Sequence, residues 1–258
     1  MRIGFFGADE RMRACAALAE KDGHTPLFYT KETGADPLIR AAELLVLPLP
    51  ASRDGIRLCG SELCFFSLPI PREMPVFGGF IPKEWKTWRN LYDCADEEDF
   101  TWANAALTAE GGIATVLGAT GRGFYGMRIA VCGFGRIAKL LLQKLNGFAV
   151  PLTVYARSDS ALAEASLRGY TAKKLTPETV IAEEILFNTI PSPVFDAICA
   201  PNGIVCCDLG GGMPASLYQA EGKRLAVIAA RGVPGVFAPL AAGEILYRSL
   251  ARFIQTLP

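Results

Sequence analysis

"VCGFGRIA", residues 131–138, lies near the middle of the 258-residue chain. Before it stands the apolar run "RIAVCG" (128–133). After it, "RIAKLLLQKLNG" (136–147) repeats apolar residues at helical spacing up to an Asn146-Gly147 stop. Strand periodicity thus gives way to helix periodicity at the glycines. Gly133-Phe134-Gly135-Arg136-Ile137-Ala138 fits G-x-G-x-x-[GA], the turn that holds a dinucleotide. The first glycine allows the tight turn and the second lets the backbone approach a pyrophosphate. Ala138 lets helix and strand pack closely, and the helix N-terminus supplies N–H donors and positive dipole. The β-α-β setting separates this motif from a bare structural turn.

Downstream the same alternation continues. "LTVYA" (152–156) reads as a strand, Ser158-Asp159 as a helix start and Gly169 as its end. "TAKKL" (171–175) is a short strand, Thr176-Pro177-Glu178 opens a predicted helix, and "EILFNTI", "GIVCCDL" and "RLAVIAA" are three more strands. Apolar runs separated by helices predict a parallel sheet covered on both faces. The first hundred residues repeat the scheme on a smaller scale: strand "RIGFFG", helix 9–21, strands "TPLFYT" and "ELLVLPLP". Four prolines between 65 and 82 argue against long regular elements there. The expected fold is therefore α/β with two domains: a doubly wound parallel-sheet Rossmann domain and a smaller N-terminal α/β domain. The expected boundaries are an N-terminal substrate or partner domain over 1–100, a connecting helix over 101–118, the dinucleotide-binding domain over 119–232, and a C-terminal helix over 233–258. The two helices are expected to join the domains and wall a cleft between them.

Lys+Arg and Asp+Glu both number 26, and 51% of residues are hydrophobic. This balance offers no electrostatic reason for a nucleic-acid or membrane partner. Asp9, Glu10 and Arg11 interrupt any leader-like apolar run, and none approaches the ~18 residues needed to cross a bilayer. The eight cysteines form no C-x-x-C or other zinc-like pairing. A reducing cytoplasm with free thiols and no metal is the expectation, with Cys206-Cys207 as buried core rather than redox groups.

The nucleotide is read at the tip of "LTVYARSD". An NAD site has an acid there for the ribose 2′-hydroxyl; this chain has Arg157 and Ser158. An arginine suits a 2′-phosphate, so NADP is expected, with NAD as the alternative.

Several segments together resemble the family of the dipicolinate synthase A subunit: "NAALTAEGGI" (104–113), "VCGFGRIA", "VYARS" (154–158), "ILFNTIPSPV" (185–194), "GIVCCDLGGG" (203–212) and "ARGVPGVFAPLAAGEIL" (230–246). "GADERM", "LPLP" and "VFGG" near the N-terminus are also similar. The resemblance implies a pyridine-nucleotide oxidoreductase working with a second, flavoprotein-like partner, the dipicolinate synthase B subunit. The reaction it implies is oxidation of a dihydrodipicolinate-level intermediate to dipicolinate, the calcium-chelating acid of bacterial spores. Two positions depart from the family pattern: Leu240 stands where a lysine is usual, and Arg231 where a small residue or proline is expected. These departures keep open a nucleotide-binding partner subunit with little catalysis of its own. Another small-carboxylate dehydrogenase or reductase is a further alternative, and a homo-oligomer is compatible with either.

On the helix 101–117, Asn104, Thr108, Gly111 and Thr115 share one face and form a candidate site stripe. Glu110, among Ala106, Leu107, Ile113 and Ala114, must be either paired or raised in pKa; with Asn104 and Thr108 it is a catalytic candidate. Beyond the strand "EILFNTI", the turn Asn188-Thr189-Ile190-Pro191 is expected to flank the nucleotide, with Asp208 at the neighbouring tip; ordinary turn chemistry is the alternative. Sole His24 lies in the turn "KDGHTP", so a histidine acid–base pair is not expected. Arg11, Arg13, Lys83 and Arg231 are candidate cations for a small dicarboxylate.

Overall fold

Both expected sheets form, and every strand pairing in them is parallel. A computed structural model describes residues 1–88, 90–121, 123–192, 204–213, 225–230 and 232–258; Arg231 and Cys199 lie outside them. Packing divides the chain into two compact units, Met1–Asn104 with Pro234–Pro258, and Ala105–Val233.

In the first unit, β1 (Arg2–Phe5), β2 (Thr25–Phe28), β3 (Leu44–Val46), β4 (Val76–Gly78) and β5 (Leu91–Asp93) are ordered β2-β1-β3-β4-β5. This is one of the two common doubly wound orders. Asp9 caps α1 (Glu10–Lys21) by accepting the Met12 N–H at 2.9 Å. A second helix, α2 (Ala35–Ala41), precedes β3. The proline-rich segment yields a 3-10 turn at Phe65–Ser67 and the three-residue β4. Short as it is, β4 is an interior strand: the Pro75 carbonyl accepts from Leu45, and the Val76 N–H donates to Asn90. Trp85 closes the core beside it, stacked on Phe65 at 4.4 Å with its indole N–H on the Gly55 carbonyl.

In the second unit, β6 (Ile129–Cys132), β7 (Leu152–Ala156), β8 (Thr171–Lys174), β9 (Ile185–Asn188), β10 (Ile204–Asp208) and β11 (Leu225–Ala229) are ordered β11-β10-β9-β6-β7-β8. From the other edge this is 3-2-1-4-5-6, the dinucleotide-binding order whose reversal falls between β6 and β9. Helix α3 (Glu98–Thr120) carries the boundary between the units. α4 (Arg136–Leu145) buries Ala138, Leu141, Leu142 and Leu145 against Ile129, Val131, Val154, Ile185 and Phe187. Each such leucine contributes about 1.5–3 kcal/mol, and Leu142→Ala would cost roughly 2–5 kcal/mol. Ser158 caps α5 (Asp159–Leu167). Beyond β11 follow α6 (Val233–Phe237) and α7 (Pro239–Gln255).

One local expectation is corrected. No helix opens at Thr176-Pro177-Glu178. The Thr179 hydroxyl accepts the Thr176 N–H at 2.8 Å and donates to the Lys174 carbonyl, closing a turn that competes with helix. The chain then buries Ile181 and Glu183 on its way to β9. The Glu183 carboxylate accepts from the Tyr155 hydroxyl at 3.0 Å and from the Ala182 N–H. The expected stop at Asn146-Gly147 does form, with α4 ending at Leu145 and Asn146 as its C-cap. Asn146–Phe148 form a 3-10 turn, and Ala149 adopts the left-handed conformation at φ 52°.

Candidate functional site

At the β6–β9 reversal, Gly133 leaves β6 with φ 99°, a conformation that favours glycine. Its N–H donates to the Tyr155 carbonyl at 2.8 Å. A Cβ at Gly133 would lie 2.4 Å from Thr189 Oγ1 and 3.2 Å from Ile190. Thr189 cannot easily yield, because its hydroxyl and its N–H both donate to the Cys132 carbonyl, at 2.8 and 3.0 Å. The glycine loop and the "NTIP" turn are thus in direct contact at the carboxyl ends of neighbouring strands. Gly135 is the N-cap of α4, and no side chain caps the first turn. The start of a helix directs its leading N–H groups and positive dipole toward an anion. A Cβ at Gly135 would meet nothing within 4 Å. The residues present fit a pyrophosphate at this point.

Around the loop, Phe134 is half-buried beneath the Lys139 ammonium, 5.2 Å from its ring centroid. Arg136 is exposed and Ile137 half-buried. Arg157 is exposed at the tip of β7, and the Ser158 hydroxyl accepts the Ala161 N–H at 3.3 Å. Ser158 therefore shapes the start of α5.

Asn188 and Asp208 are buried, at 1% and 0% exposure. Asn188 donates to Asp208 Oδ1 at 2.8 Å and to the Ile190 carbonyl, and it accepts the Ile190 N–H at 3.1 Å. Asp208 also accepts from the Gly211 and Met213 N–H groups at 2.9 and 3.2 Å. These contacts are the turn chemistry weighed as the alternative, so both residues act on the site by holding its backbone. The approach is close: a Cβ at Gly210 would be 2.4 Å from the Ile190 carbonyl oxygen. Pro191 is exposed beside Ile190, which is buried.

The α3 candidates divide. Gly112 packs against Leu209 beyond the β10 tip, and its carbonyl accepts the Cys207 thiol at 3.9 Å. Buried Thr108 lies one turn earlier on that face. Asn104 is half-buried, and the Thr115 hydroxyl donates back to the Gly111 carbonyl at 2.7 Å. Glu110 has the partner its apolar neighbours called for. Glu110 pairs at 2.7 Å with Lys144 in the last turn of α4. Eight residues separate Lys144 from Arg136, about 12 Å of helix, so this carboxylate is held away from the glycine loop.

The other candidates scatter. Arg11 is buried, bonded to Asp9 and to the Leu49 carbonyl. Arg13 reaches the Ala8 carbonyl and lies over the Phe28 ring, and Lys83 is exposed. His24 lies 3.4 Å from the Met1 amine. Burial pushes the Cys207 thiol up to about 12 and raises that of Cys206 well above its ordinary value, as core thiols require.

Comparison with known proteins meets this geometry at the fold. No family model matches the chain. The dipicolinate synthase A subunit of Bacillus subtilis (strain 168) is 28% identical over 177 residues, 66% of this chain and 59% of the relative. The chain is similar to the dipicolinate synthase A subunit. The alignment spans under two thirds of that relative's length. The crystal structure of the dipicolinate synthase A subunit from Bacillus halodurans superposes with a TM-score of 0.76 at 20% identity, covering 97% of each chain. A transhydrogenase from Sinorhizobium meliloti superposes at 0.60 with 11% identity, over 99% of this chain and 93% of that one. The shared fold is that of NAD(P)-binding Rossmann-like dehydrogenases. Among the described residues, no helix is long and apolar enough to cross a membrane, and no group of His, Cys, Asp or Glu is arranged to hold a metal ion.

Sequence reading named Thr189 without its contact to Gly133, and it missed Lys174. The Thr189 clamp on Gly133 depends on β9 lying beside β6 rather than β8. Lys174 reaches the β7 tip because β8 pairs with β7 in parallel, and no local signal in "TAKKL" marks that neighbour.

Proposed function

We propose that the chain is an NADP-dependent oxidoreductase acting on a small dicarboxylate, oxidising a dihydrodipicolinate-level intermediate to dipicolinate with a flavoprotein-like second subunit. The observation that carries this reading is the contact between Gly133 and Thr189 at the reversal of a 3-2-1-4-5-6 sheet. The relative's name supports the substrate class. When bound, the nicotinamide would accept the hydride, and the accompanying proton would leave to solvent or to a carboxylate or lysine.

The chain's own part is orientation and electrostatics. The first turn of α4 would take the pyrophosphate on its N–H groups, with Gly135 leaving room for it. Arg157 would pair with the 2′-phosphate, and the turn at Thr189, Ile190 and Pro191, fixed from beneath by Asn188 and Asp208, would line the nucleotide. The polar stripe of Asn104 and Thr108 is the remaining candidate for the substrate side.

NADP reduction by the full chain, with a dihydrodipicolinate-level substrate and with or without the second subunit, tests the proposal. Turnover that depends on the dicarboxylate supports it; nucleotide binding with no turnover in either case contradicts it. A second reading, a nucleotide-binding partner subunit, is favoured by Leu240, 70% exposed in the first turn of α7 where the family resemblance leads one to expect a lysine. That reading predicts turnover only when the second subunit is present. NADPH should bind more tightly than NADH, and Arg157→Ala should narrow the gap by about tenfold; equal affinities before mutation would sink the NADP assignment.

A further inference from the structure

We propose that Lys174 is a specificity residue for the 2′-phosphate: by neutralising Asp159 it allows the tip of β7 to accept a doubly charged group. The inference rests on the NADP reading above and concerns a residue on the adjacent strand.

Tyr155 and Ala156 of β7 pair with Lys173 and Lys174 of β8. Successive strand residues face opposite ways, and the two lysines part accordingly. Lys173 stands 5.5 Å over the Tyr155 ring, with its ammonium 3.7 Å from the buried Glu183 carboxylate. Lys174 extends to Asp159 and pairs with its Oδ1 at 2.5 Å. In parallel pairing, the Lys174 backbone runs about 4.8 Å from Ala156, the residue before Arg157.

Asp159 makes this pairing consequential. It is the first residue of α5, two positions after Arg157, with its side chain 90% exposed. Ser158 between them is held by its cap to Ala161. A phosphate drawn to Arg157 would have a carboxylate two residues along the chain, and by Coulomb's law its repulsion would offset part of the attraction. With Lys174 on Asp159 the acid is cancelled, leaving Arg157 as the net charge at the tip. NADH carries no 2′-phosphate, so its binding should be indifferent to this pair. The acid gains from its place in the first turn of a helix, which gives it a structural reason to be present and leaves its charge to be dealt with.

The test is the dissociation constants of NADPH and NADH, measured by fluorescence titration of the full chain. Lys174→Ala should weaken NADPH by about tenfold and change NADH less than twofold. Adding Asp159→Asn in that background should recover most of the loss. Lys173→Gln, which removes the same charge one residue away on the opposite face, should leave the NADPH/NADH ratio unchanged. Thermal melting of each variant and a Lys174→Gln repeat separate the effect from misfolding. A wild-type preference for NADPH that survives Lys174→Ala overturns this inference alone. Equal loss of both nucleotides, no recovery with Asp159→Asn, or the same loss in Lys173→Gln also overturns it. Wild type binding both nucleotides equally, or neither, overturns the NADP reading and this inference with it.

Discussion

At Gly133 one residue meets two separate demands, a left-handed backbone and the absence of a Cβ. Their costs can be separated. Gly133→Ala imposes about 1–3 kcal/mol of backbone strain and adds the clash with Thr189 Oγ1. Thr189→Ala in the same chain removes the clash and leaves the strain, so the double variant should be more stable than additivity of the singles predicts. Urea denaturation of the four proteins measures that coupling; strict additivity would mean that the side chains do not meet. This glycine was legible from sequence because its demand is local: a turn between a strand and a helix. Glu110 was not, because what decides its role is Lys144, 34 residues away on α4. The apolar neighbours of Glu110 on its own helix said that it needs a partner, and could not say where.

Among the elements, α7 shows how a charge couples helix to sheet. Glu97 accepts from the Tyr92 hydroxyl at 2.6 Å, from Ser249 and from Arg252 of α7, and Phe253 stacks on Tyr92 at 4.7 Å. Burial pushes the Glu97 carboxyl upward, but the hydrogen bonds and the Arg252 charge outweigh it, and the net shift is downward. A depressed carboxyl contributes stability that is complete above its unfolded value, about 4.3, and is lost as pH falls through the lower folded value. The first unit should therefore lose stability more steeply below about pH 4.3 in the native chain than in Glu97→Gln. Urea midpoints at pH 6 and pH 3.5 check this, and parallel slopes would refute it. Elements of this kind were legible where periodicity ran long, as in α3, α4 and α7. The three-residue strands β4 and β5 were not, since their apolar content is too short to carry a period and their partners are remote. The turn at Thr176 was misread because threonine and proline open helices and turns alike; the Thr179 hydroxyl decided for the turn.

On the scale of the whole chain, the two sheets share an all-parallel construction and differ in strand order. The six-stranded sheet is assembled from two contiguous stretches, 129–174 and 185–229, that meet along one strand pair, β6 with β9. At the amino end of that seam the Arg128 side chain and N–H both reach the Glu184 carboxylate, and Arg128 also donates to the Ala182 carbonyl at 2.7 Å. At the carboxyl end Thr189 grips the Cys132 carbonyl. A nucleotide resting on the glycine loop of one stretch and the 189–191 turn of the other would bridge the same seam. Amide protons of β9 and β10 should then exchange more slowly as NADPH rises, by about 2.7 kcal/mol at one hundred times the dissociation constant, whenever their exchange requires opening of that seam. Exchange measured by mass spectrometry with and without nucleotide would show it, and protection confined to residues 133–138 would contradict it. Thr189 thus gives the seam a thermodynamic meaning: two stretches of chain that could breathe separately would open together once the cofactor is in place, so their cooperativity would be set by ligand concentration.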